Sequence, residues 1–133
     1  MWNENQIQFA EDPLVRYTDG SLMNGVAGSG VYEEKTDKKL SVYLGHHTSV
    51  FMAEVYGIEL AVKTCIENNT RNRNIYVVTD NRAAIQALSS NKFTSKMVWN
   101  CRKFLNLLST KQQMIYLVKG LSLELKLLNR FLD

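Results

Sequence analysis

The sequence predicts an α/β domain with a five-stranded mixed sheet flanked by helices. Three stretches of strand-forming residues between residues 14 and 45 are joined by short turns, which favours an antiparallel three-strand meander. Apolar residues then recur with helical spacing through residues 50–66. The later apolar run over residues 75–79 is unbroken, which is typical of parallel strands buried on both faces. Residues 114–118 are predicted to form the fifth strand.

The composition indicates one folded domain that spans residues 1–133. The chain is 45% hydrophobic and contains one proline, which argues against a disordered tail. Its formal net charge of +3 is compatible with a polyanionic partner but does not require one. No signal peptide opens the chain and no apolar run is long enough to span a membrane, so we expect a protein that is neither secreted nor membrane-spanning. We expect it to be an intracellular monomer, nuclear or cytoplasmic. Cys65 and Cys101 lie on apolar helix faces, and we expect both to be reduced.

The first predicted strand stops at a carboxylate. Strand formers over residues 14–18 follow a proline and give way to Asp19, Gly20 and Ser21. Ligands of α/β sheets gather just beyond the carboxyl ends of strands. An acid at this place is a metal ligand, a base or a turn residue, and this strand alone leaves the three open.

Two further acids are candidates for the same place. The apolar strand over residues 75–79 ends at Asp80 and Asn81. Glu54 falls beside the apolar stripe of the first helix, whereas Glu59 neighbours Lys63 and is expected to be solvated. A carboxylate on a core-facing edge is costly unless it is paired or bound to a metal. Because three such acids without a basic partner would repel one another, a divalent cation is expected between them.

Basic residues cluster around the third predicted helix, which runs from about residue 95 to 108. They are Lys96, Arg102, Lys103 and Lys111. Contacts with nucleic-acid phosphates and an ordinary solvated face are both compatible with this pattern.

Three stretches, in this order, resemble the ribonuclease H family. They are Tyr17-Thr18-Asp19-Gly20-Ser21, Phe51-Met52-Ala53-Glu54-Val55-Tyr56-Gly57-Ile58 and Val77-Val78-Thr79-Asp80-Asn81-Arg82-Ala83-Ala84-Ile85. The residues of these motifs resemble those of the ribonuclease H domains attached to reverse transcriptases of non-long-terminal-repeat retroelements. The resemblance covers roughly residues 13 to 120 and implies a ribonuclease H-like fold.

The resemblance also implies an activity. Members of the family hydrolyse the RNA strand of RNA–DNA hybrids with two Mg²⁺ ions, for which Mn²⁺ is a substitute. By position, Asp19 would bridge both metals, and Glu54 and Asp80 would complete the catalytic site. The residues expected to bind nucleic acid are Gly20, Ser21, Asn81, Lys96, Arg102 and Lys103. A polymerase domain of the same polyprotein is an expected partner.

The tail, residues 121–133, departs from the family pattern. Members usually follow the fifth strand with Gly-His, a glycine-rich loop and a fourth acid. Here Leu121 follows Gly120, leucines replace the glycines, and Asp133 is the nearby candidate for the fourth ligand. A truncated, frameshifted or rebuilt end is expected, and the leucine-rich run is compatible with a terminal helix.

The departure in the tail keeps other functions open. One is a catalytically weak or inactive nucleic-acid-binding domain that retains the fold. A sugar-kinase or actin-like ATPase half also has a strand ending in Asp-Gly, but such enzymes need two domains and a second phosphate loop, which this chain lacks.

Overall fold

The computed structural model describes residues 13–68, 70, 73–90, 92, 95–110, 114–119 and 124–127. In chain order its elements are β1 (Leu14–Met23), β2 (Val26–Glu33), β3 (Lys38–Gly45), α1 (Val50–Glu67), β4 (Asn74–Thr79), α2 (Arg82–Ser89), α3 (Lys96–Ser109), β5 (Met114–Lys119) and β6 (Glu124–Leu127).

The strands form one mixed sheet in the order β3-β2-β1-β4-β5-β6. Strands β1, β2 and β3 pair antiparallel, while β4 pairs parallel with both β1 and β5. This arrangement confirms the predicted meander and the two parallel strands. The Asn24–Gly25 turn joins β1 to β2, and both of its residues have positive φ, 53° and 78°, as a two-residue hairpin turn of this hand requires.

A sixth strand, β6, pairs antiparallel with β5, so the expected terminal helix is wrong for residues 124–127. The sequence around it, Leu121-Ser122-Leu123-Glu124-Leu125-Lys126-Leu127, alternates apolar and polar residues. Alternation of this kind is the signal of a strand rather than of a helix. The leucine content of the tail concealed that period.

Strand β1 does not end at Asp19, as the sequence predicted, but runs on to Met23. Its parallel pairing with β4 stops at Tyr17 opposite Val78, whereas its antiparallel pairing with β2 continues to the hairpin turn. Asp19 therefore lies within a strand, just past the point where one of its two neighbouring strands has ended. From there onward, β1 is no longer paired with β4.

Helix α1 lies between the sheet and α3, and the main core forms around it. Ser49 caps its N-terminus by accepting a hydrogen bond from the Met52 N–H. The fully buried aliphatic side chains come from all three helices and from β4 and β5. They include Val55, Ile58, Val62, Ile75, Val77, Ile85, Leu88, Leu105, Leu108, Ile115 and Leu117.

Both cysteines are free and buried in this core, as expected. Burial raises the pKa of the Cys65 thiol to about 11 and that of Cys101 well above its usual value. Both are therefore unreactive thiols at neutral pH.

Within the described part of the chain, none of the helices combines the length and apolar character needed to cross a bilayer.

Candidate metal-binding and catalytic site

Glu54 is the centre of the site and is buried, with 4% of its surface exposed. It projects from the second turn of α1 toward β1 and β4. The backbone N–H of Gly20 donates a hydrogen bond to its carboxylate. The Thr79 hydroxyl donates a second one to Oε2 at 3.2 Å. Two strands thus hold this carboxylate in place from different sides.

Burial raises the pKa of Glu54, and the two hydrogen bonds oppose that shift. The negative charges of Asp19 and Asp80 raise its pKa further. The structure therefore brings these two acids within electrostatic reach of Glu54, as the sequence analysis anticipated. Among the described residues, no basic side chain contributes to the pKa shift of Glu54.

The sheet register explains why Asp19 and Asp80 converge. Tyr17 and Val78 are opposite each other in the parallel pairing of β1 and β4. Each acid lies two residues beyond its member of that pair, so both leave neighbouring strands at the same level. Both are exposed, and their carboxylates can reorient at little cost in packing.

The donor set fits a hard divalent cation, because Mg²⁺ takes oxygen ligands and prefers carboxylates and water. A cation would also relieve the repulsion that raises the pKa of Glu54. Among the described residues, no three Asp, Glu, His or Cys side chains are already arranged to hold an ion. The exposed Asp19 and Asp80 would therefore have to close on the ion. Asp133, the candidate fourth ligand, lies outside the described residues.

Gly20 has a packing role that the sequence analysis did not assign. A Cβ atom on this residue would lie 2.7 Å from the backbone N of Glu54 and 2.9 Å from the carbonyl carbon of Ala53. Only glycine allows β1 to approach α1 this closely. The backbone N–H of Gly20 is directed at the Glu54 carboxylate, whereas the side chain of the neighbouring Ser21 is exposed to solvent.

Asn81 is the N-cap of α2, another role that was not predicted. Its side-chain oxygen accepts a hydrogen bond from the Ala84 N–H at 2.8 Å, and its own N–H donates to the Thr79 hydroxyl at 3.1 Å. These bonds fix the backbone on both sides of Asp80. The sequence signal was present, since asparagine before a helical run is a preferred cap.

Arg102 is not a phosphate-binding residue in this structure, contrary to the sequence prediction. It is buried, and its Nη1 donates to the carbonyl oxygens of Leu88 at 2.7 Å and Ser90 at 3.0 Å. The guanidinium thus binds the C-terminal carbonyls of α2 and fastens α3 to it. An arginine on a helix can cover apolar surface with its stem, which helical spacing alone does not reveal.

The other basic residues of the cluster differ from Arg102. Lys96 and Lys103 are exposed. The Nζ of Lys103 lies 4.3 Å from the centroid of the Trp99 ring, within the range of a cation–π contact. Lys111 lies outside the described residues. Lys96 and Lys103 are therefore the members of the predicted cluster that the structure presents to solvent.

Glu59 is buried rather than solvated, so that prediction is wrong. It is 9% exposed because α3 packs over this side of α1. It lines a groove of about 690 Å³ together with Asn100, Lys103 and Phe104. Burial raises its pKa, and the charge of Lys63 opposes the shift.

Comparison with solved structures identifies the fold. A crystal structure of RNase H1 from the halophilic archaeon Halobacterium salinarum NRC-1 matches with a TM-score of 0.60 at 16% sequence identity, over 80% of this chain and 86% of that chain. No protein-family model matches the sequence, and no curated protein matches it. At this level of identity the likeness establishes the architecture, and the chain has the ribonuclease H-like fold.

Proposed function

We propose that this protein is a metal-dependent endonuclease that hydrolyses the RNA strand of RNA–DNA hybrids. The observation that carries the proposal is the environment of Glu54. It is a buried carboxylate with two hydrogen-bond donors and two neighbouring acids. A buried carboxylate beside two other acids is costly for a fold, and a cation-dependent activity accounts for this arrangement.

In this proposal Asp19, Glu54 and Asp80 would hold the two Mg²⁺ ions. When bound, such a pair supplies a hydroxide nucleophile and stabilises the leaving 3′ oxygen. Gly20 and Thr79 keep Glu54 turned toward the other two acids. Ser21, which is exposed next to the site, would contact the RNA strand, whose 2′-hydroxyl distinguishes it from DNA.

Binding of the duplex is expected to be mainly electrostatic. Lys96 and Lys103 are the exposed basic residues of α3, and they would contact phosphates of the hybrid. Arg102 is excluded from this role because its guanidinium binds the end of α2.

The residue sequence of the three motifs supports a finer assignment, to the ribonuclease H domain of a non-long-terminal-repeat retroelement reverse transcriptase. A polymerase domain of the same polyprotein would then be its partner. Hybrids of RNA and DNA are intracellular substrates, and two buried free cysteines suit a reducing compartment. We accordingly propose a nuclear or cytoplasmic location.

A catalytically weak or inactive hybrid-binding domain is the second candidate. It is favoured by the sequence after β5, where Leu121 follows Gly120 in place of the family's histidine. It is also favoured by the lack, among the described residues, of three acids already arranged around one ion. With three acids the second ion would be held weakly, so we expect low activity in Mg²⁺ and partial recovery in Mn²⁺, which tolerates less ideal geometry.

A cleavage assay separates the two candidates. The purified protein is incubated with an RNA–DNA hybrid labelled on the RNA strand, in Mg²⁺ and in Mn²⁺, beside the Glu54→Gln variant. Cleavage of the RNA strand of the hybrid supports the nuclease if the Glu54→Gln variant loses it. Tight binding without cleavage in either metal supports the binding domain, and cleavage unaffected by Glu54→Gln refutes the proposed site.

A further inference from the structure

We propose that Thr79 is a positioning residue whose hydroxyl sets the relation between Glu54 and Asp80. This inference rests on the proposed function, because it assigns Thr79 to the same site. Thr79 is the last residue of β4, it immediately precedes Asp80, and it is 1% exposed. It touches neither a substrate nor the reacting atoms, and it would act through the two acids.

The direction of the hydrogen bonds at Thr79 is determined by its chemistry. A hydroxyl has one proton to donate and two lone pairs to accept. The Asn81 N–H occupies an acceptor position at 3.1 Å. The proton is then directed at Glu54 Oε2, 3.2 Å away. A bond to an ionised acceptor is stronger than one between neutral groups, so this arrangement favours the carboxylate form of Glu54.

The identity of residue 79 also argues for a role of the hydroxyl. The rest of the buried part of β4 is apolar, with Ile75, Tyr76, Val77 and Val78 preceding it. Valine has nearly the same shape as threonine and would fill this place without a polar group to satisfy. Because a buried hydroxyl is costly unless it is hydrogen-bonded, its two bonds are what the threonine contributes here.

One hydroxyl therefore connects two of the three acids. Through Oε2 it holds the side chain of Glu54, which comes from α1. Through the Asn81 N–H it holds the backbone that carries Asp80, and the side-chain cap that Asn81 forms on α2 extends the restraint. Loss of the hydroxyl would let the two acids move independently. Part of the free energy of ion binding would then be used to order them, so the ion would bind more weakly.

The test compares Thr79→Val and Thr79→Ser with the parent. Thr18→Val is the matched control, because the buried Thr18 hydroxyl donates to the Val78 carbonyl on the neighbouring strand and reaches none of the acids. Mn²⁺ affinity is measured by calorimetry without substrate. We expect Thr79→Val to lose about 10-fold in affinity, at the low end for loss of a residue that orients a ligand. Thr79→Ser should stay within about 2-fold of the parent, as should Thr18→Val.

A second readout needs no metal. Amide hydrogen exchange is followed by NMR at Asn81 and Gly20, the two N–H groups joined through Thr79 and Glu54. Thr79→Val should speed exchange at both, and Thr79→Ser should restore protection. Unchanged exchange at both amides, or a Thr79→Ser variant that behaves like Thr79→Val, would overturn the inference and assign Thr79 to packing.

The two readouts distinguish failure of this inference from failure of the proposed function. If Mn²⁺ binding survives Glu54→Gln, the metal site itself is wrong, whatever Thr79 does. If Glu54→Gln abolishes binding and Thr79→Val leaves it unchanged, the site stands and the positioning role is refuted. In hybrid cleavage the positioning role predicts a lower kcat with unchanged KM for Thr79→Val.

Discussion

Helix α1 carries two buried glutamates in different surroundings. Glu54 faces β1 and the end of β4, receives hydrogen bonds from Gly20 and Thr79, and lies near two other acids. Glu59 faces α3 and lines an open groove, where Lys63 is the charge that acts on it. Burial raises the pKa of both carboxyl groups.

The comparison shows that a raised pKa does not by itself mark a functional acid. Burial is the largest cause of the raised pKa at both residues, and structural sites perturb pKa values as well as catalytic ones. What separates Glu54 from Glu59 is the set of donors aimed at it and the additional acids that converge on it. The side of α1 that faces β1 and the end of β4 is thus the candidate site, whereas the side that faces α3 has a structural role.

The largest expected difference between the two sides is in activity. Glu54→Gln removes a proposed metal ligand, and we expect hybrid cleavage in Mn²⁺ to fall at least ~100-fold, about 2.7 kcal/mol of transition-state stabilisation. Glu59→Gln, on the same helix, should cleave within about 2-fold of the parent. Single-turnover rates with labelled hybrid measure both. Equal losses in the two variants would mean that the comparison is wrong.

The next difference concerns stabilisation by metal. At Mg²⁺ concentrations ~100-fold above its dissociation constant, the parent should gain about 2.7 kcal/mol of unfolding free energy. Asp19→Asn should gain far less, while folding at least as stably as the parent in metal-free buffer, because mutual repulsion is reduced. Thermal melts with and without Mg²⁺ measure this. Equal Mg²⁺-induced shifts of the melting temperature in Asp19→Asn and the parent would contradict a metal site on the side of α1 that carries Glu54.

On the α3 side, two adjacent basic residues should behave differently. Arg102→Ala leaves carbonyl groups at the end of α2 without their donor, and we expect it to cost about 2 kcal/mol of unfolding free energy. Lys103→Ala should change stability by less than ~0.5 kcal/mol, yet lower the slope of log affinity for hybrid against log salt by about 1. Urea melts and salt titrations provide the measurements. An unchanged slope would assign Lys103 to solvent.

The smallest effect is the pH dependence that Glu59 contributes. Because its pKa is raised in the folded state, the folded protein binds the proton more tightly than the unfolded chain does. Its destabilising effect is absent below the ordinary Glu value of 4.5 and grows as pH rises through the folded pKa. Glu59→Leu should therefore stabilise the protein by about 1 kcal/mol at pH 7, with a smaller gain at pH 4.

Urea melts at both pH values test the pH dependence, with Glu59→Gln as the variant that keeps the shape of the side chain. A stabilisation by Glu59→Leu that is the same at pH 4 and pH 7 would show that packing, and not charge, is responsible.

The architecture was predictable because its signals are local. Turn residues, unbroken apolar runs and helical spacing predicted the meander, α1 and the parallel strands. The candidate acids were found from their positions just after the apolar runs and beside the apolar stripe of α1. Asp19 and Asp80 lie within electrostatic reach of Glu54, and the use of the three acids as a metal site stays a prediction. The pairing of the strands supplied what the sequence lacked, namely that Asp19 lies inside β1 and level with Asp80.

The errors at Glu59 and Arg102 have one physical cause, which is packing between elements distant in sequence. Glu59 is polar and next to a lysine on its own helix, yet α3 covers it. Arg102 belongs to a basic cluster, yet the end of α2 lies within reach of its guanidinium. Neither contact has a local signature. The β6 error differs, since the alternation was readable and its leucine content obscured it.

Gly20 places a constraint on the evolution and engineering of this chain. It contributes no side chain to the chemistry, yet any Cβ there would meet the backbone of α1 at 2.7 to 2.9 Å, and β1 and α1 would have to move apart to make room. Such a shift would move Glu54 relative to Asp19. In a saturation library selected for activity, position 20 should therefore tolerate as few replacements as the three acids, although its intolerance reflects geometry and theirs reflects charge.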